Sequence, residues 1–190
     1  MPKIVDDETT YRAVIQVIAA RGYAGATTKE LAKAAGISEM SLFRKYRNKL
    51  QLVKQALTSI IDQADFAAAT RYTGDITADL LRVVQFYQDS AVKHGQLIFM
   101  LVAELPRYPD LADLLTVPLD MFTRIEGLLA HYQADGVLRQ EHPRHAVGAL
   151  LGPLLYTGTL HRVMPDDGFP PLDLQTHVTH FLAGRRTETE

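Results

Sequence analysis

Apolar residues recur every three to four positions along most of the chain, and that spacing predicts helices from end to end. Over residues 8 to 21, Tyr11, Val14 or Ile15, and Ile18 share one face. Two short patterns follow, Leu31 with Ala35 and then Leu42 with Tyr46, each pair at i and i+4. A long helix is expected over Lys49 to Arg71, with Leu52, Val53, Ala56, Leu57, Ile60 and Ile61 inward. Asp75 to His94 carries Leu80, Leu81, Val84 and Tyr87, and Gln96 to Leu105 is almost wholly apolar and stops at Pro106. Leu111 to Leu115 makes a short helix, and Leu119 to Ala134 another that ends near Gly136. Pro143 opens a helix to about Val163, at the first turn, where a missing amide costs no bond. Beyond a loop from Met164 to Pro171, rich in Pro, Asp and Gly, a last helix runs Leu172 to Ala183 and ends at Gly184, leaving Arg185 onward as a frayed tail. No strand-like alternation of useful length appears. The expectation is an all-α chain of nine or ten helices without a sheet.

The stretch Thr27 to Leu52 says more than its periodicity. Thr27 followed three residues later by Glu30 is the spacing of a capping box, in which hydroxyl and carboxylate each take an orphan amide. Gly36 supplies the left-handed residue that a helix end needs. Ser38 is a second N-cap candidate, directly before the second short pattern. Two short helices joined by a Gly turn make a helix-turn-helix, the unit that lays its second helix in the DNA major groove.

Charge agrees. Between Arg21 and Lys54 stand eight cations, Arg21, Lys29, Lys33, Arg44, Lys45, Arg47, Lys49 and Lys54, against Glu30 and Glu39 alone. That is a local balance of +6 in a chain whose total is −2, so the remainder sums to −8. A concentrated cationic patch binds the phosphate rows of a duplex and releases their counterions.

The positions Gly22-Tyr23, Thr27-Thr28, Leu31-Ala32, Ala35-Gly36-Ile37-Ser38, Leu42-Phe43 and Asn48-Lys49 together resemble the DNA-binding domain of TetR-family transcriptional regulators. The resemblance covers about the first fifty residues; beyond them it is architectural, apart from a weak echo at Gly136-Val137-Leu138-Arg139. It implies an N-terminal three-helix DNA-binding domain over 1–54 and a larger helical ligand-binding and dimerisation bundle over 55–190. It also implies DNA-binding roles. Thr27 and Thr28 would meet phosphate at a helix start, where free amides and the dipole favour anions. Ser38, Glu39, Met40, Ser41, Phe43, Arg44 and Lys45 would form the recognition helix and its edge. There Arg44 can pair with a guanine and Glu39 with a cytosine amino group. Lys49 would bind phosphate just after it. Three positions depart from the family pattern: Met40 replaces a small residue, Phe43 a Tyr, and Leu50 a Glu, so the operator sequence does not follow from relatives.

Composition narrows the class without changing it. A chain of 190 residues with 47% hydrophobic and 22% charged residues is of ordinary globular make-up and buries roughly 70% of its unfolded surface. There is no cysteine, which removes disulfides and thiol catalysis. The opening MPKIVDDETT carries no apolar signal segment. The longest uncharged apolar run, Ala146 to Leu160, is interrupted by Gly148, Gly152, Pro153 and Gly158 and falls short of the roughly 18 to 20 residues of a membrane span. A soluble cytoplasmic protein with no membrane partner is expected.

Three readings compete for residues 55–190. In the first, a cavity between helices, lined by Phe86, Tyr87, Phe99, Met100, Phe122, Tyr156 and His161, takes a small apolar or amphipathic ligand. In the second, Gly148, Gly152 and Leu155, with Val178, Phe181 and Leu182 of the last helix, form a dimer interface, Pro153 kinking the helix between them. A two-fold protein suits a two-fold, palindromic operator in double-stranded DNA. In the third, the i, i+3 pairs His142/His145 and His177/His180 hold a metal for catalysis. No phosphate loop, nucleophile elbow or paired carboxylates support the third, and no metal or cofactor is expected. The expectation is a homodimeric repressor, released from its operator by a small-molecule effector. The rival is a helix-turn-helix regulator controlled by a protein partner without such an effector, and the remote one a metal-dependent enzyme.

Overall fold

The computed structural model describes residues 6–63, 66–164 and 168–187, the side chains at 61–63 and 117 excepted. Among them run α1 (Asp7–Gly25), α2 (Thr28–Ala34), α3 (Glu39–Tyr46), α4 (Lys49–Gln63), α5 (Phe66–Ala69), α6 (Ile76–Glu104), a 3-10 turn at Pro109–Leu111, α7 (Ala112–Ala134), α8 (Pro143–Val163) and α9 (Leu174–Ala183). No strand occurs among the described residues, only one antiparallel bridge between Leu138 and Arg186. The chain forms two compact units, Met1–Ala64 with His94–Leu119, and Asp65–Lys93 with Asp120–Glu190.

The first unit closes around Val14 and Ile18 of α1, Leu31 of α2, Leu42 and Tyr46 of α3, Leu52, Val53 and Ala56 of α4, and Leu97, Leu101, Leu111 and Leu114. These are the i, i+3/i+4 stripes of the sequence, now turned inward. At about 25 cal/mol per Å² of buried apolar area, such stripes supply most of what holds short helices together. The last turn of α1 is kinked at Gly22, with φ 73° and ψ 166°, a conformation reserved for glycine.

The second unit packs Leu80, Val84 and Tyr87 of α6 against Ile125, Leu129 and Tyr132 of α7, Leu150 and Leu154 of α8, and Val178, Phe181 and Leu182 of α9. Its polar anchor is Asp79, wholly buried. The carboxylate accepts from the Thr73 amide at 2.8 Å, the Thr73 hydroxyl at 2.6 Å, the Tyr132 hydroxyl at 2.6 Å and Arg82 at 2.8 Å. Four donors on two oxygens compensate the charge that burial would otherwise penalise.

Several expectations are corrected. The helices expected at 75–94 and 96–105 are one: Gly95 costs about 1 kcal/mol relative to Ala but does not end a helix whose apolar stripe continues. Those expected at 111–115 and 119–134 are joined in α7, which carries Pro118 inside it. The helix expected from Pro143 to about Val163 is α8, with Pro153 inside it. The single helix expected over 49–71 is described as α4 and α5, with Thr70 to Asp75 non-helical. The tail is pinned as far as Thr187: Arg139 donates its amide to Arg185 at 2.8 Å, Thr187 donates to Val137 at 3.2 Å, and the Arg185 side chain reaches Glu141 at 2.7 Å. The inward role of Ile61, the 64–65 stretch of the expected long helix, residues 165–167 of the loop and the last three residues of the tail lie outside the described residues.

Candidate nucleic-acid interface

The helix-turn-helix is built from local rules that can be read bond by bond. Thr27 accepts the Glu30 amide at 3.3 Å while Glu30 accepts the Thr27 amide at 3.0 Å, so the capping box is complete. These bonds, first the Thr27 amide and then its hydroxyl, hold the Glu30 carboxyl below its ordinary value. At the far end of α2, the Ile37 amide reaches the Ala32 carbonyl at 3.1 Å and the Gly36 amide the Lys33 carbonyl at 3.2 Å. With Gly36 at φ 68°, this is the paired closure that satisfies orphan carbonyls at a helix C-terminus. Ser38 then caps α3, accepting the Ser41 amide at 3.1 Å and donating to the Ser41 hydroxyl at 2.9 Å.

The turn leaves one side of α3 in the core and the other in solvent. Leu42 and Tyr46 are buried, whereas Glu39, Met40, Phe43, Arg44 and Lys45 are exposed, Met40 at 81%. The unbranched Met40 thioether therefore stands in solvent and contributes nothing to the core. Of the residues read as DNA contacts, Ser38, Glu39, Met40, Ser41, Phe43, Arg44 and Lys45 lie on or beside this helix, and Thr27 and Thr28 at the start of α2. The Thr28 hydroxyl donates to Glu39, linking the two helix starts.

The cations divide into two groups. Lys45 donates to Asp7, and Lys49 donates to the Tyr23 carbonyl with its ammonium 4.1 Å from the Tyr23 ring centre. Burial pushes the Lys49 ammonium below its ordinary value. Arg21 pairs with Glu30. The side chains of Lys29, Lys33, Arg44, Arg47 and Lys54, by contrast, have no hydrogen-bonded or ion-paired partner among the described residues. Sequence spacing did not flag the partners Asp7 and Tyr23, because both lie more than twenty residues from the cations they hold. Asp7 also accepts from the buried Tyr46 hydroxyl at 2.6 Å, tying the start of α1 to the end of α3.

The residues read as lining a pocket fall in both units. Phe86, Tyr87 and Phe122 belong to or pack against the second unit's core, with Phe66 against Phe86 at 5.1 Å and Tyr87 against Phe122 at 6.4 Å. His161 in the same unit faces the Thr157 and Phe169 carbonyls at 2.9 Å each. Tyr156 is 62% exposed. Phe99, 59% exposed, and Met100, packed on the other core, belong to the first unit. The residues read as an interface also divide. Val178, Phe181 and Leu182 are buried in their own unit, while Gly148 and Leu155 are open on the surface of α8 and Gly152 is half-buried. Of the histidine pairs, His142 caps α8 by accepting the Arg144 amide at 3.2 Å, and His177 hydrogen-bonds to the Leu150 carbonyl at 2.7 Å. Among the described residues no group of three or more His, Cys, Asp or Glu is placed to hold a metal ion. No described helix is long and apolar enough to cross a membrane.

Residues 11–56, which span this interface and the helices that support it, match the family described as bacterial regulatory proteins, tetR family. The chain is 35% identical over 78 residues to the uncharacterised HTH-type transcriptional regulator YvkB of Bacillus subtilis (strain 168), a match over 37% of each chain's length. Its fold resembles the fatty acid degradation regulator FadR of Bacillus halodurans, with a TM-score of 0.68, 20% identity and coverage of 93% of this chain and 92% of that one. It likewise resembles FadR of Bacillus subtilis, solved with stearoyl-CoA, with a TM-score of 0.69, 16% identity and coverage of 94% and 96%.

Proposed function

Because the chain belongs to the TetR family of bacterial transcriptional regulators, we propose that it works as a cytoplasmic homodimer on a palindromic operator and is released by a small apolar or amphipathic ligand. The observation that carries the DNA-binding part is the exposed side of α3, where Met40, Phe43 and Arg44 stand in solvent on a helix capped at its start and buried along its other side. Side chains held this way by a rigid scaffold can enter a major groove without the helix having to rearrange. The twofold arrangement rests on α8, whose open Gly148 and Leu155 offer a second copy a small-residue approach and an apolar contact. Release by ligand is a population shift: a ligand that prefers one spacing of the two recognition helices draws the dimer away from the spacing that fits successive grooves. The aromatic cluster of Phe66, Phe86, Tyr87 and Phe122 supports an apolar ligand, and the fold likeness to a regulator solved with stearoyl-CoA supports an amphipathic one.

The test is selection of duplexes from a random library by the purified protein, followed by footprinting. Two inverted half-sites centred about one helical turn, or a multiple of it, apart are expected. Recovery of no preferred sequence, or of a single unpaired half-site, contradicts the dimer-on-palindrome reading. A thermal-shift panel of fatty acyl compounds separates the ligand-released repressor from a regulator controlled by a protein partner.

A further inference from the structure

We infer that Arg47 is a phosphate-contacting residue of the DNA interface, held in place by a strained turn; the inference rests on the DNA-binding reading above. Arg47 follows α3 with φ 66° and ψ −53°, and the Asn48 amide reaches back to the Tyr46 carbonyl at 2.8 Å. That is a γ-turn of the positive-φ form, which L side chains rarely adopt. Every other described residue with positive φ is glycine: Gly22, Gly36, Gly74, Gly136 and Gly168. At five positions the chain meets this demand with the residue that meets it freely, and at the sixth it keeps an arginine.

The turn itself does not explain the arginine. Its local task is to bring Asn48 to the start of α4, where the Asn48 side chain accepts the Gln51 amide at 2.8 Å. A glycine would make the same turn with less strain. Nor does packing explain it, since Arg47 is exposed and its guanidinium has no hydrogen-bonded or ion-paired partner among the described residues. What remains is the side chain's charge and reach. Strain kept at one exposed residue points from the backbone outlier to a function of that side chain. Met40, Arg44 and Arg47 follow one another at i, i+4 and i+7 along and past the exposed side of the recognition helix. The N-terminal part of such a helix meets base edges, so its exit lies toward the flanking backbone, where a guanidinium donates to phosphate oxygens. Lys45 and Lys49, the neighbouring cations, are already held by Asp7 and Tyr23.

The experiment compares wild type with Arg47→Gly, Arg47→Gln and Arg47→Lys on two probes, a duplex enriched by wild type from a random library and an arbitrary duplex of about three helical turns. Arg47→Gly is expected to raise Tm by about 2 °C through relief of strain. It should also weaken both probes by about 30-fold at about 0.15 M salt, and lower the magnitude of the log K versus log[salt] slope by about 2 for the dimer. Arg47→Gln should reproduce the loss on DNA without the gain in Tm, and Arg47→Lys should keep the slope. An Arg47→Gly protein that binds both probes like wild type, or one that loses affinity only for the enriched sequence with its slope intact, overturns the assignment. Wild-type protein that binds neither probe overturns the DNA-binding reading itself, and this assignment with it.

Discussion

The Glu104 carboxylate closes over Gly22: its two oxygens accept the Tyr23 and Ala24 amides at 3.1 and 3.2 Å, and one of them stands 2.6 Å from where a Gly22 Cβ would be. Gly22 is therefore required twice, once by its φ of 73° and once by the carboxylate beside it. Gly22→Ala should cost about 2–3 kcal/mol in urea unfolding. Glu104→Ala alone should cost about 1–3 kcal/mol by leaving two amides without a partner. In the double variant the clash is gone, so its loss should be smaller than the sum of the two single losses. Strict additivity would show that the contact does not couple the two residues.

Acid stability should report on Asp79. Burial pushes this carboxyl up, but the bonds from Thr73, Tyr132 and Arg82 outweigh it and hold the group below its ordinary value. A folded value below the unfolded one, about 3.9, means that the stabilisation is complete above about pH 4 and is lost as the pH falls through the folded value. Asp79→Asn should cost about 3 kcal/mol or more at neutral pH. The gap between wild type and variant should stay level from about pH 7 to 5 and narrow below about pH 4. A gap constant throughout the acid range would remove the charge from the account.

Leu155, 60% exposed on α8, should matter to assembly and not to folding. Leu155→Glu is expected to leave the unfolding free energy within about 0.5 kcal/mol of wild type after correction for dimer dissociation, and to shift sedimentation toward monomer. Operator affinity should fall with it, since one half-site gives up the other's contribution. A variant that remains dimeric at micromolar concentration would place the interface elsewhere.

Arg44 stands exposed on α3, and on the proposed DNA-binding function it reads a base. Arg44→Ala should cost about 1–3 kcal/mol on the enriched operator and relax preference at one base position per half-site. Quantitative binding to a set of single-base variants decides it, because equal loss on every sequence would make Arg44 a phosphate contact instead.

The helix-turn-helix was legible because its determinants are local. Thr27 and Glu30, Gly36 with Ile37, and Ser38 with Ser41 all act within five residues, so spacing alone names the bonds. What spacing hides is long-range or permissive. Lys45 and Lys49 read as free cations until Asp7 and Tyr23, 38 and 26 residues away, are seen to hold them. Breaks are expected after His94 and Leu115, yet the apolar stripes of α6 and α7 continue past Gly95 and Pro118 and outweigh a weak residue or one lost bond. The second unit's apolar face was legible as apolar, but Val178, Phe181 and Leu182 could face a core or a partner with the same spacing. Arg47 was hidden most completely, since nothing in a sequence announces a positive φ at arginine.

The most direct measurement is the salt dependence of wild-type binding to its enriched operator, by fluorescence anisotropy across a range of KCl. A dimer making roughly eight phosphate contacts should give a log K versus log[salt] slope near −7. A slope near zero would contradict the claim that the cationic face around α3 holds a duplex.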